Sequence, residues 1–227
     1  MNASAGADAR RSSPSALRNR EPIAQVLQRY LPADSRVLEI AAGTGEHAVY
    51  LSAQLAASNW WPSDLNADAM DSINAWREAA DTTVLHPPLQ LDVSHPIAQI
   101  QQRLGNAEGS PVRFDAIVCI NMVHISPWQA TEGLMRAAGA LLDDSGLLYL
   151  YGPYQRNGRH TAESNARFDE DLRARDPQWG VRHLEDVCEL AARHNLRLLD
   201  VVAMPANNLS VILQKAGSAE QRNSHHD

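Results

Sequence analysis

The sequence predicts an α/β fold: a seven-stranded, mostly parallel sheet with helices on both faces and an antiparallel hairpin at its C-terminal end. Three observations support this prediction. Short apolar runs alternate with helical patterns along the chain, which is typical of a parallel sheet covered on both sides. The first apolar run leads directly into a Gly-x-Gly turn at 43–45. The last two apolar runs are joined by only four residues, 205–208, and so short a link permits only an antiparallel pair.

The first three predicted strands are each followed by a helical pattern. The strands cover 37–40, 59–64 and 89–93, and the helices cover 22–31, 46–56, the residues after Asn66 and the residues after Ser94. The helix after the glycine turn places Ala48, Leu51 and Leu55 on one face. Asn66 is a suitable N-cap for the third helix. These elements form the first half of the predicted sheet.

The second half of the sheet is built around one strand at 114–123, whose nearly continuous apolar sequence predicts burial on both faces. A helix over 126–142, a strand over 147–151, a helix over 184–194 and the hairpin strands at 196–204 and 209–214 follow. The long polar stretch 152–180, with a helix over 162–175, is predicted to cover an active site.

Composition limits the domain organisation and the class of partner. The 227 residues predict one domain over 17–216, between a disordered tail at 1–16 and a frayed end at 217–227. An organellar presequence at 1–16 is the alternative. The net charge of −7 argues against nonspecific binding to nucleic acid, and no apolar run approaches the roughly 18 residues of a membrane span. Cys119 and Cys188 are predicted to be free thiols, which suits a cytoplasmic protein.

The glycine turn predicts a nucleotide site with two candidate cofactors. Residues 43–48 match the G-x-G-x-x-A form of the dinucleotide fingerprint, so an NAD-binding oxidoreductase is one interpretation. Glu39, four residues before Gly43, could reach the cationic end of S-adenosylmethionine (SAM), and Glu46 would repel a pyrophosphate at the start of the helix. These two acids favour SAM, with S-adenosylhomocysteine (SAH) as the product.

Several separated motifs resemble the methyltransferase-like 26 family, also catalogued as domain of unknown function 938. They lie at 18–23, 39–46, 62–66, 91–93, 120–127, 149–154 and 204–209, so the resemblance covers nearly all of 13–215. It implies the class I SAM-dependent methyltransferase fold, which is Rossmann-like, and transfer of a methyl group. It does not supply the acceptor, although the acidic chain with no basic tract favours a small molecule. A noncatalytic SAM-binding or scaffold protein of the same fold is the alternative, and assembly as a homodimer stays open.

The resemblance also implies roles for residues around the cofactor. Glu39, Gly43 and Gly45 match the motif that holds the methionine part of SAM. Asp64 corresponds to the acid that binds the ribose hydroxyls, and Asp92 to the acid that contacts adenine. A helix-entry acid and a turn acid are the alternative interpretations of these two. The other predicted cofactor contacts are Asn19, Arg20, Ala41, Leu65, Val93 and Asn121.

Methyl transfer is an in-line displacement that depends mainly on alignment, with a general base only if the nucleophile arrives protonated. His124 is the first choice for that base, because imidazole titrates near neutral pH and the residue follows a buried strand. Its alternative role is to fix the backbone near Ser126. The further predicted catalytic residues are Tyr154 and His160, and the predicted substrate contacts are Tyr151, Asn165 and Trp179. No ligand spacing predicts a metal site.

Overall fold

The computed structural model describes residues 8–55, 59–80, 82–107 and 110–217, and they contain one large sheet of seven strands. The strands are β1 Arg36–Ile40, β2 Asn59–Asp64, β3 Leu89–Gln90, β4 Phe114–Ile120, β5 Leu142–Gly152, β6 Leu196–Met204 and β7 Asn208–Lys215. Their order across the sheet is β6-β7-β5-β4-β1-β2-β3. Five neighbouring strands of this order are parallel: β5, β4, β1, β2 and β3. β7 is antiparallel to both of its neighbours, β5 and β6. The predicted fold class is therefore confirmed.

Helices lie on both faces of this sheet. They are α1 Pro14–Leu27, α2 Glu46–Gln54, α3 Ala67–Ala80, α4 Ile97–Leu104, α5 Trp128–Leu141, α6 Glu163–Arg175 and α7 Leu184–Ala192. Apolar residues of α1 and α2 pack with one face of the sheet, and those of α4, α5 and α7 pack with the other. Of the helices in the described ranges, none has the length and apolar character needed to cross a membrane.

The chain departs from the predicted elements where polar residues end a strand. β4 stops at Ile120, three residues earlier than predicted, because Asn121 adopts a left-handed φ of 65° and residues 122–124 form a 3-10 turn. Residues 143–146, which separate the predicted helix from the predicted strand, form a loop inside β5. Pairing with β4 there jumps from Leu142 to Leu147. The 3-10 turn matters for function, because it places His124 beside the end of β5.

The N-terminal segment packs on the domain from residues that precede the predicted start of the first helix at Pro22. α1 begins at Pro14, inside the stretch 1–16 that the sequence analysis assigned to a tail. The Arg11 N–H donates to Ser72 Oγ at 2.9 Å, and the Arg11 carbonyl accepts from Trp76 Nε1 at 2.9 Å. These contacts join positions more than 60 residues apart in sequence, so local composition could not predict them. Residues 1–7 and the C-terminal residues 218–227 lie outside the described ranges, and the domain boundaries stay a prediction.

Candidate active site

The glycine turn after β1 leaves an open space on one side and is tightly packed on the other. Gly43 is exposed, with φ +60°, and a Cβ built there would meet no atom within 4 Å. Gly45 has φ +91°, and a Cβ there would lie 2.9 Å from Ile73 Cα in α3. Ala41 also has a left-handed φ of 59°, a conformation that costs roughly 1 to 2 kcal/mol in a residue with a side chain. The turn thus presents bare backbone toward the open side.

Asp64 ends β2 and holds the glycine turn in place. Its Oδ2 accepts the Gly43 N–H at 2.9 Å, and its Oδ1 accepts the Asn66 N–H at 2.9 Å, just before α3 begins. The role of helix-entry acid is therefore real. An ionised carboxylate has about four acceptor positions, however, and only two are used by these bonds. The same side chain can shape the turn and accept hydrogen bonds from a ligand.

A cavity of about 550 Å³ lies beside the ends of β2 and β3. Leu65 lines it and is 57% exposed, so an apolar surface faces the space directly after Asp64. Asp92 also lines the cavity, and its Oδ1 accepts the Ser94 N–H at 2.8 Å, which is the predicted alternative role of a turn acid. Val93 beside it is buried. The cavity combines an apolar wall with carboxylate and amide groups, as a site for a flat base requires.

Glu39 does not face this open side. Side chains alternate along β1, so Glu39 shares the face of Val37, which packs with the cluster under α1 and α2. The carboxyl group is 1% exposed and accepts the indole N–H of Trp60 at 2.7 Å. Burial raises the pKa of Glu39 to about 7, the Trp60 hydrogen bond opposes that effect, and the charge of Asp64 adds to it. Direct contact with a cofactor stays a prediction that this buried orientation does not favour.

The buried Glu39 predicts a pH-dependent stability. The pKa of Glu39 rises from 4.5 in the unfolded chain to about 7 in the folded one. Below pH 4.5 the group is protonated in both states and does not change the free energy of unfolding, but between pH 4.5 and 7 it lowers that free energy progressively, because the unfolded chain ionises more readily. The free energy of unfolding falls by about 3 kcal/mol over this pH range. Urea unfolding of Glu39→Gln should match wild type at pH 4.5 and exceed it by about 3 kcal/mol at pH 8. Exposed Glu78→Gln is the control, and an equal difference from wild type at both pH values would contradict the assignment.

A second group of polar residues lies where β4 and β5 end. The Asn121 N–H donates to the Tyr151 carbonyl at 2.8 Å, so the two strand ends are joined. His124 is 4% exposed, and its ring lies so close to Gly152 that a Cβ there would be 2.9 Å from Nδ1. The ring also makes an edge contact with Phe168 of α6. Burial and the charge of Arg182 lower the pKa of His124 to about 4, so its imidazole is neutral at physiological pH.

The His124 ring is not used to support the backbone. Ser126 Oγ itself donates to the Met122 carbonyl at 2.8 Å, so a hydroxyl rather than the imidazole binds the backbone at this turn. Among the described residues, the ring nitrogens of His124 have no hydrogen-bond partner, whereas its carbonyl accepts the Gly180 N–H at 3.0 Å. The neutral imidazole keeps one ring nitrogen as a free acceptor, although its burial and the charge of Arg182 make it a weak base.

Within the stretch 152–180, which was predicted to cover an active site, α6 lies with Phe168 against the His124 ring. Asp169 organises it: Oδ1 accepts the Val181 N–H at 2.6 Å, and Oδ2 accepts from Arg173 Nε at 3.1 Å and lies 3.6 Å from His160 Nε2. Asn165 donates to the carbonyl of Asn207 at 3.0 Å, which ties α6 to the connection between β6 and β7. The structure therefore places His160 and Asn165 within this stretch, where Asn165 is hydrogen-bonded, whereas His160 Nδ1 is buried without a hydrogen-bond partner among the described residues.

Tyr154 and Trp179 lie apart from the strand ends. Tyr154 is 1% exposed and packs in the core that α5 and α7 cover, and burial raises the pKa of its hydroxyl. Its hydroxyl has no hydrogen-bond partner among the described residues. Trp179 is half-buried in the cover, where its backbone N–H donates to the Asp176 carbonyl at 3.0 Å. Their predicted catalytic and substrate-binding roles gain no support from these positions.

α1 connects the two halves of the site. Asn19 is 8% exposed, and its Oδ1 accepts a hydrogen bond from His47 Nε2, 2.7 Å away, at the start of α2. Burial and the Arg20 charge lower the pKa of His47 to about 4, so the ring is neutral. The Arg20 guanidinium lies over the ring of Tyr50, 4.6 Å from its centre. Burial raises the pKa of the Tyr151 hydroxyl at the end of β5, and the side chains of Asn19 and Asn208 and the charge of Arg18 oppose that effect.

Two residues of this connection were missed by the sequence analysis: His47 and Asn208. Asn208 begins β7 beside the end of β5, where Leu209 pairs with Gly152, and its side chain donates to the Pro205 carbonyl at 3.2 Å. The signal for His47 was its position two residues after Gly45, on the first turn of the helix that the glycine turn opens. Asn208 had no comparable signal, because the predicted connection 205–208 was treated only as a link. In the described ranges, no group of three or more His, Cys, Asp or Glu side chains is arranged to hold a metal ion.

Comparison with known proteins agrees with this architecture. The family model described as Protein of unknown function (DUF938) matches residues 10–215. An O-methyltransferase family protein from Burkholderia thailandensis is 12% identical with a TM-score of 0.72, covering 90% of this chain and 58% of that chain. The S-adenosylmethionine-dependent methyltransferase SibL is 13% identical with a TM-score of 0.70, covering 89% and 56%.

A third similar structure is CalO1, a methyltransferase in calicheamicin biosynthesis, in its SAH-bound form. It is 14% identical with a TM-score of 0.67, and the match covers 89% of this chain and 54% of that chain. The chain thus spans little more than half the length of these three structures. At such low identity the likeness establishes the shared fold, which is that of class I methyltransferases.

Proposed function

Because the chain belongs to the DUF938 family of proteins of unknown function and has the class I methyltransferase fold, we propose that it is a SAM-dependent methyltransferase of a small molecule. The observation that carries the proposal is the pairing of an open glycine turn with Asp64. Membership in the methyltransferase-like 26 group, a cytoplasmic location and the absence of nucleic-acid partners are parts of the same proposal.

The residues present fit the cofactor. The bare backbone at Gly43 can approach a ligand closely, and Asp64 has free acceptor positions directly beneath it. We assign the ribose hydroxyls to Asp64 and the adenine to Leu65 and Asp92, which line the cavity, and to the buried Val93 that follows Asp92. The remaining proposed cofactor contacts are Asn19, Arg20, Glu39, Ala41, Gly45 and Asn121. When bound, SAM supplies a methyl group activated by a sulfonium charge.

Glu46 supports SAM over a dinucleotide. Its carboxylate lies in the first turn of α2 and is 3% exposed, so a negative charge is fixed where a pyrophosphate would sit. The carboxylate accepts hydrogen bonds from the backbone N–H of Ser13 and from Thr44 Oγ1. The helix N-terminus is therefore already neutralised by an acid of the chain. A cofactor without phosphate meets no such repulsion.

The proposal fails if the folded chain does not bind SAH. Titration calorimetry with SAH, and in parallel with NADH, separates the SAM and dinucleotide interpretations directly. Circular dichroism of the same sample shows whether the fold is intact, so that a lack of binding is informative. A metabolite extract incubated with labelled SAM and the full chain then tests catalysis. Binding of SAH without any labelled product would favour the noncatalytic alternative.

His124 is proposed as the group that takes a proton from the acceptor. With a pKa near 4 it is a weak base at neutral pH, so its effect belongs at the low end of the range for general bases. His124→Asn is expected to lower turnover of the acceptor found in the extract screen by roughly 100-fold. SAH affinity should stay unchanged, since the residue lies at the acceptor side. Unchanged turnover would remove His124 from the mechanism.

A further inference from the structure

The glycine turn has a strained backbone that depends on its surroundings for support. Ala41, Gly43 and Gly45 all have left-handed φ angles. Asp64 fixes the Gly43 N–H, while Thr44, between the two glycines, is held through its hydroxyl and its carbonyl. Strained backbone persists only where the surrounding structure over-determines it. The partners of Thr44 therefore help to set the shape that the turn offers to a cofactor.

The hydroxyl of Thr44 is bound by Glu46, which the N-terminal segment also binds. Thr44 Oγ1 donates to Glu46 Oε2 at 3.2 Å, and the Ser13 N–H donates to the same oxygen. Glu46 is 3% exposed, and a buried carboxylate is costly unless it is hydrogen-bonded. The Ser13 N–H thus helps to keep the Glu46 carboxylate in place beside Thr44.

The carbonyl of Thr44 is bound through Ser72 of α3, in a second chain of hydrogen bonds. Ser72 Oγ donates to the Thr44 carbonyl at 2.7 Å and accepts the Arg11 N–H at 2.9 Å. Ser72 is 1% exposed, and hydrogen bonds that share one buried hydroxyl polarise and strengthen each other. Both polar groups of Thr44 are therefore connected to the N-terminal segment, one through α2 and the other through α3.

Residues 10–13, called here the N-terminal segment, also have contacts with α3 that do not involve the turn. Trp76 Nε1 donates to the Arg11 carbonyl at 2.9 Å, and the Arg11 guanidinium donates to the Asp68 carbonyl at 3.0 Å. The Arg10 guanidinium lies 5.1 Å from the centre of the Trp76 ring. Because the segment precedes α1 and both arginine side chains are exposed, it should detach at a smaller free-energy cost than global unfolding.

We propose that Glu46 and Ser72 are positioning residues through which the N-terminal segment holds Thr44, and with it the glycine turn, in the shape that binds the cofactor. Docking of the segment and binding of the cofactor then favour each other, because the coupling between two sites is reciprocal. Neither Glu46 nor Ser72 is assigned a contact with the cofactor. This inference rests on the proposed function and adds to it the part of the chain that precedes α1.

The first test is limited trypsin digestion of the full chain, with and without saturating SAH, followed by mass spectrometry of the products. Trypsin cleaves after arginine, so cleavage after Arg10 and Arg11 reports the population in which the segment is detached. SAH should slow cleavage at these two sites by roughly fivefold or more. Arg193, exposed at the end of α7, is the reference site, and SAH should change its cleavage much less.

The second test is titration calorimetry of SAH with variants of the two positioning residues. Ser72→Ala removes the hydroxyl between Arg11 and Thr44, so it should weaken SAH binding roughly tenfold and reduce the protection of Arg11 by SAH. Glu46→Gln keeps an acceptor oxygen for the Ser13 N–H, so it should bind SAH more tightly than Glu46→Ala does.

Ser52→Ala is the matched control. Ser52 is 2% exposed on α2, and its Oγ donates to the Val49 carbonyl of the same helix. The variant therefore removes an equally buried and hydrogen-bonded hydroxyl without breaking a link to the glycine turn. Its SAH affinity and its cleavage after Arg11 should match those of wild type. Thermal unfolding of all variants shows whether each one is folded, and the Glu46 pair tests the inference if Ser72→Ala is not.

Two results would overturn the inference. One is an equal rate of cleavage after Arg11 with and without SAH, in a wild-type chain that binds SAH. The other is wild-type SAH affinity in Ser72→Ala, because the turn then keeps its shape without that link to the segment. Failure of the proposed function is recognised separately, as no SAH binding by the folded wild-type chain, and it overturns both proposals.

Discussion

Replacing Asp64 with alanine is expected to weaken SAH binding by roughly 1,000-fold. The loss is that of two hydrogen bonds from the ribose hydroxyls to a charged group, each worth roughly 1.5 to 3 kcal/mol. The variant also releases the N–H groups of Gly43 and Asn66, which the carboxylate now holds at 2.9 Å. The binding surface therefore loses its acceptor and part of its preorganisation together. Titration calorimetry with SAH measures the effect.

Two further variants separate these contributions. Asp64→Asn keeps the size of the side chain and one acceptor oxygen, so its SAH affinity should lie between those of wild type and Asp64→Ala. Asp71→Ala removes an exposed acid of α3, the helix that follows Asp64, and should bind SAH as wild type does. If Asp64→Ala binds SAH within about threefold of wild type, Asp64 is only a structural acid of the turn.

The strand that ends at Asp64 belongs to the part of the fold that could be predicted from the sequence. The strand, the glycine turn and the helix that follows are encoded by neighbouring residues, so their order and the boundaries of β2 could be predicted. The hairpin was equally local, because four residues between two apolar runs leave only one pairing direction.

What the sequence could not predict depends on contacts between distant residues. The Ala-rich and Ser-rich start of the chain has the composition of a tail, yet Arg11 and Ser13 are bound by Ser72 and Glu46. The direction of the Glu39 side chain depended on a partner, Trp60, in the neighbouring strand. Polar residues such as these are placed by tertiary contacts, for which one sequence carries no periodic signal.

The two glycines of the turn are expected to fail in different ways when replaced by alanine. Gly45→Ala places a methyl group 2.9 Å from the Cα of Ile73, a backbone atom that moves only if α3 moves. Its φ of +91° adds backbone strain. Overpacking and strain each cost roughly 1 to 3 kcal/mol, so the free energy of unfolding should fall by about 2 to 6 kcal/mol.

Gly43→Ala is the matched variant, because it adds the same methyl group two residues away in the same turn. No atom lies within 4 Å of that position, and its φ of +60° costs roughly 1 to 2 kcal/mol. Since the added methyl group points into the space proposed for the cofactor, the free energy of SAH binding should weaken by more than the free energy of unfolding falls. Urea unfolding and SAH calorimetry on both variants check the contrast. If Gly43→Ala binds SAH normally, the open side of the turn is not where the cofactor lies, and the proposed site must be moved.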